Sequence, residues 1–257
     1  MANTIDTIYA IWLREIKRYV KSKSRVIGSG GQPIIWLAIF GVGLGASFKY
    51  IMPGVNYTTY MAPGILGMTL LFTSIFAGIN VIWDKQFGFL KEILVAPVPR
   101  SGIVLGKIIG SGTIAVLNAL IILVVVVVFG VVPLSSLSAA SVVVVLFFMA
   151  MISAIFVSIG LVIASYINNI EGFQVIVNFL VMPLFFLSGA LFPLTDAPVW
   201  MKAIGFVDPL QYGVDGIRGA LVGVHAFPIY IDAVIIIVVA VALVAISDIA
   251  FRRMQAK

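Results

Sequence analysis

The residues able to do chemistry are few, and they gather in one place. Residues 84–110 read D-K-Q-F-G-F-L-K-E-I-L-V-A-P-V-P-R-S-G-I-V-L-G-K-I-I-G and hold Asp84, Lys85, Lys91, Glu92, Arg100 and Lys107. These types suit recognition by charge rather than catalysis. The spacing predicts a short helix over 90–95, with apolar Leu90, Ile93 and Leu94 on one face and Lys91 and Glu92 on another. Pro97 and Pro99 end it, because proline lacks an amide hydrogen and clashes with the preceding turn. Such a helix lies on a membrane surface, where it can dock a cytosolic partner.

Other chemistries fail on residue type or spacing. G-I-V-L-G-K-I at 102–108 is one residue too short between its glycines for a phosphate loop. It also has Ile108 where magnesium would need a hydroxyl. Helix packing is the better use for those glycines. His225 is the one histidine and there is no cysteine, which leaves no His/Cys metal site, disulfide or thiolate nucleophile. No Ser/His/Asp set and no paired carboxylates stand out. The expectation is a chain that is not itself an enzyme and binds no cofactor or metal.

The rest of the chain must hold the polar stretch at a membrane. Of 257 residues, 62% are hydrophobic and 10% charged, and the mean hydropathy is +1.19. A soluble domain carries roughly 25% charged residues. The fold expected is an all-α integral membrane protein with six transmembrane helices. The net charge of +6 reflects membrane topology rather than a nucleic-acid partner.

Residues 1–32 predict an amphipathic helix at the interface and not a cleavable signal. Ile5, Ile8, Trp12, Ile16 and Tyr19 fall near one face; Arg14, Arg18, Lys21 and Arg25 fall on another, toward anionic lipid. Gly28, Gly30 and Gly31 are expected to be a flexible joint. Spans are predicted at 33–50, 58–83, 108–132, 139–166, 173–191 and 229–251. The second is expected to be interrupted at Pro63–Gly64 and the fifth kinked at Pro183. Gly41 with Gly45, and then Gly102, Gly106 and Gly110, have the four-residue spacing that permits close helix packing. The segment 84–107 is the docking stretch. Residues 192–228 mix prolines, aromatics and charges, and predict two short non-spanning helices at 198–206 and 209–222.

Six spans put both termini on one side. Thirteen of the sixteen lysines and arginines fall on that side, leaving Lys49, Lys202 and Arg218 opposite. Both ends and the docking stretch are therefore expected in the cytoplasm. Within the spans, Asp248 and Arg252 predict an i,i+4 pair, and Asp232 sits near the outer end. No acid is evident near mid-membrane, where an ion-coupled carrier needs one. Any driving energy then enters from a separate subunit.

Three segments carry a family resemblance: K-E-I-L-V-A-P-V-P-R-S-G-I-V-L-G-K at 91–107, L-S-G-A-L-F-P-L at 187–194 and D-P-L-Q-Y-G-V-D-G-I-R-G at 208–219. In this order the chain resembles the membrane-spanning permease subunit of type-2 ATP-binding-cassette exporters, closest to the daunorubicin-type drug-resistance branch. The resemblance covers essentially the whole chain. Many members of the family have Asn at the position of Asp208.

The resemblance implies a permease dimer, most simply a homodimer, in the cytoplasmic membrane. Two copies of a P-loop ATPase subunit would carry the ATP and magnesium. Lys91, Glu92, Leu94, Pro97 and Arg100 would form the coupling helix, with Trp12, Arg14 and Arg18 on the interface helix beside it. Phe72, Phe76, Phe179, Phe185 and Phe186 would line a path for a hydrophobic or amphipathic, drug-like or lipid-like substrate. Phe192, Asp208, Tyr212, Asp215 and Arg218 would belong to re-entrant helices forming an outer gate. A lipid-linked polysaccharide is the alternative cargo, favoured by aromatic rings in the path. A stand-alone channel or secondary transporter is the reading from another class.

Overall fold

The computed structural model describes residues 3–43, 56–89, 92, 95, 98–195 and 197–254, without the side chains of 23–30 and 42. Lys91, Leu94 and Pro97 of the expected coupling helix, and 44–50 of the expected first span, lie outside the described residues.

Among the described residues the regular structure is entirely helical. In order come α1 (Thr4–Lys21), α2 (Lys23–Gly43), α3 (Tyr57–Ile75), α4 (Ala77–Gln86), α5 (Arg100–Val128), α6 (Ala139–Tyr166), α7 (Ile170–Leu187), α8 (Val199–Val207), α9 (Pro209–Val222) and α10 (Ile229–Arg252). Among the described residues five segments are long and apolar enough to cross a membrane: Tyr57–Gln86, Arg100–Val128, Ala139–Tyr166, Ile170–Leu187 and Ile229–Arg252. Helix α2 contributes a shorter apolar piece, Gly31–Gly41.

Side-chain contacts fix which ends lie together. Lys85, near the end of α4, donates to the carbonyls of Ala164 (2.7 Å) and Ser165 (3.2 Å) at the end of α6. Arg100, at the start of α5, donates to the carbonyl of Arg252 at the end of α10 at 2.7 Å. Helix α1 packs along α5 at this same end. At the opposite end, Thr59 donates to the Val131 carbonyl at 2.9 Å and Thr58 to the Gly41 carbonyl at 3.4 Å. Helix α2 therefore leaves α1 at one end of the bundle and reaches the start of α3 at the other.

Helix α6 is the hub, packed against α3, α4, α5, α9 and α10. Its Phe148, Ile152 and Phe156 are fully buried. The approach is close because glycines remove side chains at the crossings. A Cβ on Gly160 of α6 would meet the Ile75 carbonyl oxygen of α3 at 2.4 Å. Helices α7 and α10 are the least enclosed of these segments; Val175 and Phe179 of α7 and Val238 and Val241 of α10 are turned outward.

Several expectations need correction. The chain does not joint at Gly28–Gly31; α2 runs through them and the break from α1 is at Ser22. Nor does the second span break at Pro63, which sits inside α3 and is buried there. One missing rung in a helix packed on all sides is tolerated. The interruption falls instead at Phe76, between α3 and α4. The docking stretch also begins and ends elsewhere. Asp84 and Lys85 belong to α4, and α5 starts at Arg100, so Lys107 lies two turns inside a span. The two short helices appear as α8 and α9, within a residue of their expected positions. Asp208 caps α9 through a 2.9 Å bond from the Leu210 amide, and Gly223 ends it at φ 74°.

Candidate functional site

Two features converge at the end of the bundle where α1 meets the other helices. The first is a buried charge cluster. Arg14 grips Asp84 through both guanidinium nitrogens, at 2.8 and 3.3 Å. Lys107 reaches the same carboxylate at 2.9 Å and Glu15 at 3.6 Å, and Arg18 approaches Asp84 at 3.8 Å. The Asp84 and Lys107 side chains are 2% and 3% exposed. One acid near the end of α4 thus ties two arginines of α1 to a lysine of α5. Arg14 and Arg18 were expected to face anionic lipid; their charges are instead turned inward onto Asp84. The sequence signal was Asp84 itself, an isolated acid in an apolar run whose partners lie 70 and 23 residues away.

Helix α1 fits closely because α5 is small where they touch. Gly102, Gly106 and Gly110 lie opposite Thr7, Ile11 and Glu15; a Cβ at Gly106 would stand 2.7 Å from that of Ile11. The buried face of α1 is thus Thr7, Ile11, Glu15 and Tyr19, and Ile5 from the expected apolar face is exposed. Trp12 donates through its indole to the Thr113 hydroxyl at 3.2 Å.

Beyond α1 the described part of the coupling stretch is open to solvent. Glu92 is exposed, and Val95 is 83% exposed. Arg100 is also exposed, but its guanidinium is engaged by the end of α10.

The second feature is a cavity of about 410 Å³ just above the charge cluster. Phe72 and Phe76 line it with rings stacked at 6.2 Å and 26°, beside Trp83. Asn80, Ser111, Asn118 and Gln174 supply polar groups. Tyr19 of α1 closes its base and hydrogen-bonds Asn118. Phe179 and Phe186, expected on the same path, are exposed on α7 and do not line the cavity; Phe185 is buried, edge-on to Phe186. The polar lining residues were not singled out from sequence. A period of three to four joins Thr69, Thr73, Phe76, Asn80 and Trp83 on one face of α3 and α4, and that stripe was the available signal.

The predicted gate residues gather at the other end. Arg218, buried, donates to the Tyr60 and Gly189 carbonyls at 3.2 and 2.9 Å and lies 4.0 Å from the Tyr60 ring centroid. Asp215 stands 3.7 Å from Arg218 and accepts the amides of Ala226 and Phe227. Tyr212 donates to the Phe206 carbonyl at 2.7 Å. Phe192 is half-buried. A smaller cavity of about 300 Å³ opens here, lined by Tyr60, Lys202, Asp215, Arg218 and His225. Asp208 caps α9 outside it, and burial pushes its carboxyl up to about 7. Asp232 was read only as an outer-end acid. It is fully buried, and neither carboxylate oxygen meets a donor among the described residues.

Among the described residues no cluster of three metal-ligating side chains occurs. The molecule is a helical bundle with an amphipathic helix locked to one end, and known proteins are similar to it in sequence. The chain is similar to Nodulation protein J of Rhizobium leguminosarum bv. viciae, 26% identical over 217 residues (83% of this chain, 82% of the relative). It is similar to the inner membrane transport permease YadH of Escherichia coli K12, 24% identical over 239 residues (91% and 90%). It also matches the transport permease ycf38 of Pyropia yezoensis, 26% identical over 218 residues (83% and 73%). The family model described as ABC-2 type transporter matches residues 6–222, which contain nearly all of α1, the charge cluster, the cavity, α8 and α9. On that match the chain belongs to the ABC-2 type transporter family, as a membrane-embedded transport permease.

Proposed function

We propose that this chain is the permease half of an ATP-driven exporter in the cytoplasmic membrane. It crosses six times with both termini in the cytoplasm, works as a homodimer and binds one ATPase subunit per copy. ATP and magnesium belong to that subunit. The cargo is hydrophobic or amphipathic and is shielded in the cavity beside Phe72 and Phe76. Helices α8 and α9 enter the outer leaflet and close the exit.

The observation that carries this reading is the charge cluster. ATP state can bias the membrane part only through contacts that differ between states. The exposed stretch with Glu92 and Val95 lies at the end of the bundle where Arg14, Arg18 and Lys107 converge on Asp84. A load on that surface reaches α1 and two spans together. The path of α2 from the inner end to Gly41 beside Thr58 supports the sixth crossing.

Glu92→Lys and Val95→Asp should each reduce co-purification of the ATPase subunit, or leave it bound with transport lost. Arg100→Ala is the poorer probe, since it also frees the end of α10. Normal assembly, hydrolysis and transport in both surface variants would remove the docking assignment.

A further inference from the structure

We propose that the cavity at the end of the bundle opposite α1 is an anion site that seats a phosphate group between Lys202, His225 and Thr195. The occupant is a standing ligand of α8 and α9 and not cargo. Its site is separate from the cavity beside Phe72 and Phe76.

The placement of charge argues for it. Among the described residues at this end the lysines and arginines are Lys202 and Arg218, and both line the same cavity of about 300 Å³. Arg218 is already engaged. It donates to the Tyr60 and Gly189 carbonyls and stands 3.7 Å from Asp215. Asp215 in turn accepts the amides of Ala226 and Phe227. Lys202 has no such employment. It is half-buried in the cavity wall and has neither an ion-pair nor a hydrogen-bond partner among the described residues. The His225 ring and the Thr195 hydroxyl are in the same condition. With Asp215 answering Arg218, Lys202 is left as a surplus positive charge.

A lysine that merely reaches water from a short helix is also unpaired. Convergence separates the two cases. Lys202 comes from α8, Thr195 from the segment before it and His225 from the loop after α9. Ammonium, hydroxyl and imidazole can each donate. Tetrahedral phosphate oxygens accept from several sides at once, whereas a planar carboxylate accepts in one plane. Three donors on three separate stretches therefore suit a phosphate. The surface beside the cavity narrows its source. Helix α8 turns Val199, Trp200, Phe206 and Val207 outward, at 83%, 59%, 55% and 82% exposure. A short helix with such a face and a tryptophan suits the headgroup level of a bilayer. Phe206 both lines the cavity and faces out. A phosphodiester headgroup held here can leave its acyl chains along α8, a surface that free phosphate has no use for.

The test uses the full chain, delipidated in dodecyl maltoside and phosphate-free buffer. The chain has no cysteine, so Val224→Cys places a single thiol in the cavity wall. Its rates with a sulfonate-bearing and a trimethylammonium-bearing methanethiosulfonate are each divided by those at Leu134→Cys, an exposed site at the same end. The sulfonate should be favoured about tenfold, the effect of one unanswered charge close to a partly hydrated site. Lys202→Met should erase that preference. Phosphatidylglycerol added to the micelles should slow the sulfonate reaction several-fold, and millimolar inorganic phosphate should not. Slowing by inorganic phosphate instead supports the same site with a soluble occupant. Either protection should vanish in Lys202→Met and weaken in Thr195→Val. Equal rates for the two reagents, protection by neither phosphate source, or protection that survives Lys202→Met overturns the inference. None of these outcomes bears on ATPase docking, so the permease reading is tested separately.

Discussion

Asp84 shows how one carboxylate can organise one end of a membrane protein's helical bundle. It is the shared partner of Arg14, Arg18 and Lys107, and it lies almost out of solvent. Removing one member of a buried ion pair costs about 3–5 kcal/mol, because the remaining charge is stranded. Asp84→Ala should therefore lower thermal stability in detergent sharply, or abolish expression. Adding Lys107→Met should recover part of the loss, since the buried lysine would no longer be stranded. Non-additivity of the two substitutions, measured as melting temperatures of both singles and the double, checks this. Asp208 gives a different prediction. Burial raises its carboxyl to about 7 in the fold, well above the ordinary 3.8. The protonated form is thus favoured on folding, and the fold loses stability as pH rises from about 4 to about 7. Asp208→Asn keeps an oxygen for the Leu210 amide and removes the ionisation. Its melting temperature should match the parent near pH 4 and exceed it at pH 8, with the gap opening between.

At the scale of elements, the groove of α5 decides where α1 can sit. Gly106→Leu would drive a side chain into Ile11, and α1 should lift from the bundle. Trypsin reports this directly, because Arg14 and Arg18 are engaged with Asp84 while α1 is docked. Rapid cleavage there is expected in the variant and slow cleavage in the parent; equal rates would refute the groove. Local signals made much of the fold readable. Asn168 and Asn169 mark the turn between α6 and α7, and Asp208, Pro209 and Gly223 bound α9. Non-local pairing was less legible. Asp84 and Lys107 look like a solvated interruption because charge in an apolar run ordinarily faces water. Their burial depends on a helix about seventy residues earlier, and no periodicity encodes that. Among the aromatics, helical spacing alone could not separate Phe72 and Phe76 on the cavity from Phe185 in the core.

At the scale of the molecule, the two ends of the bundle carry different chemistry. The exposed Glu92 stretch, α1 and the end of α10 lie at one end; α8, α9 and the Asp215–Arg218 pair lie at the other. The chain has no cysteine, so single cysteines at Glu92 and Thr195 can be labelled cleanly. Impermeant reagents should reach them from opposite sides of the membrane; labelling from one side would contradict the crossing pattern. Between these ends the Tyr57–Gln86 segment is built in two lengths, α3 and α4. The upper length is wedged against Ala190 at Gly64, while the lower is fastened through Asp84 to the amphipathic helix. Only Phe76 stands between them, and its ring forms part of the cavity wall. A twist entering from below, with the top held, has one knuckle at which to bend, and bending there reshapes the chamber where cargo would rest.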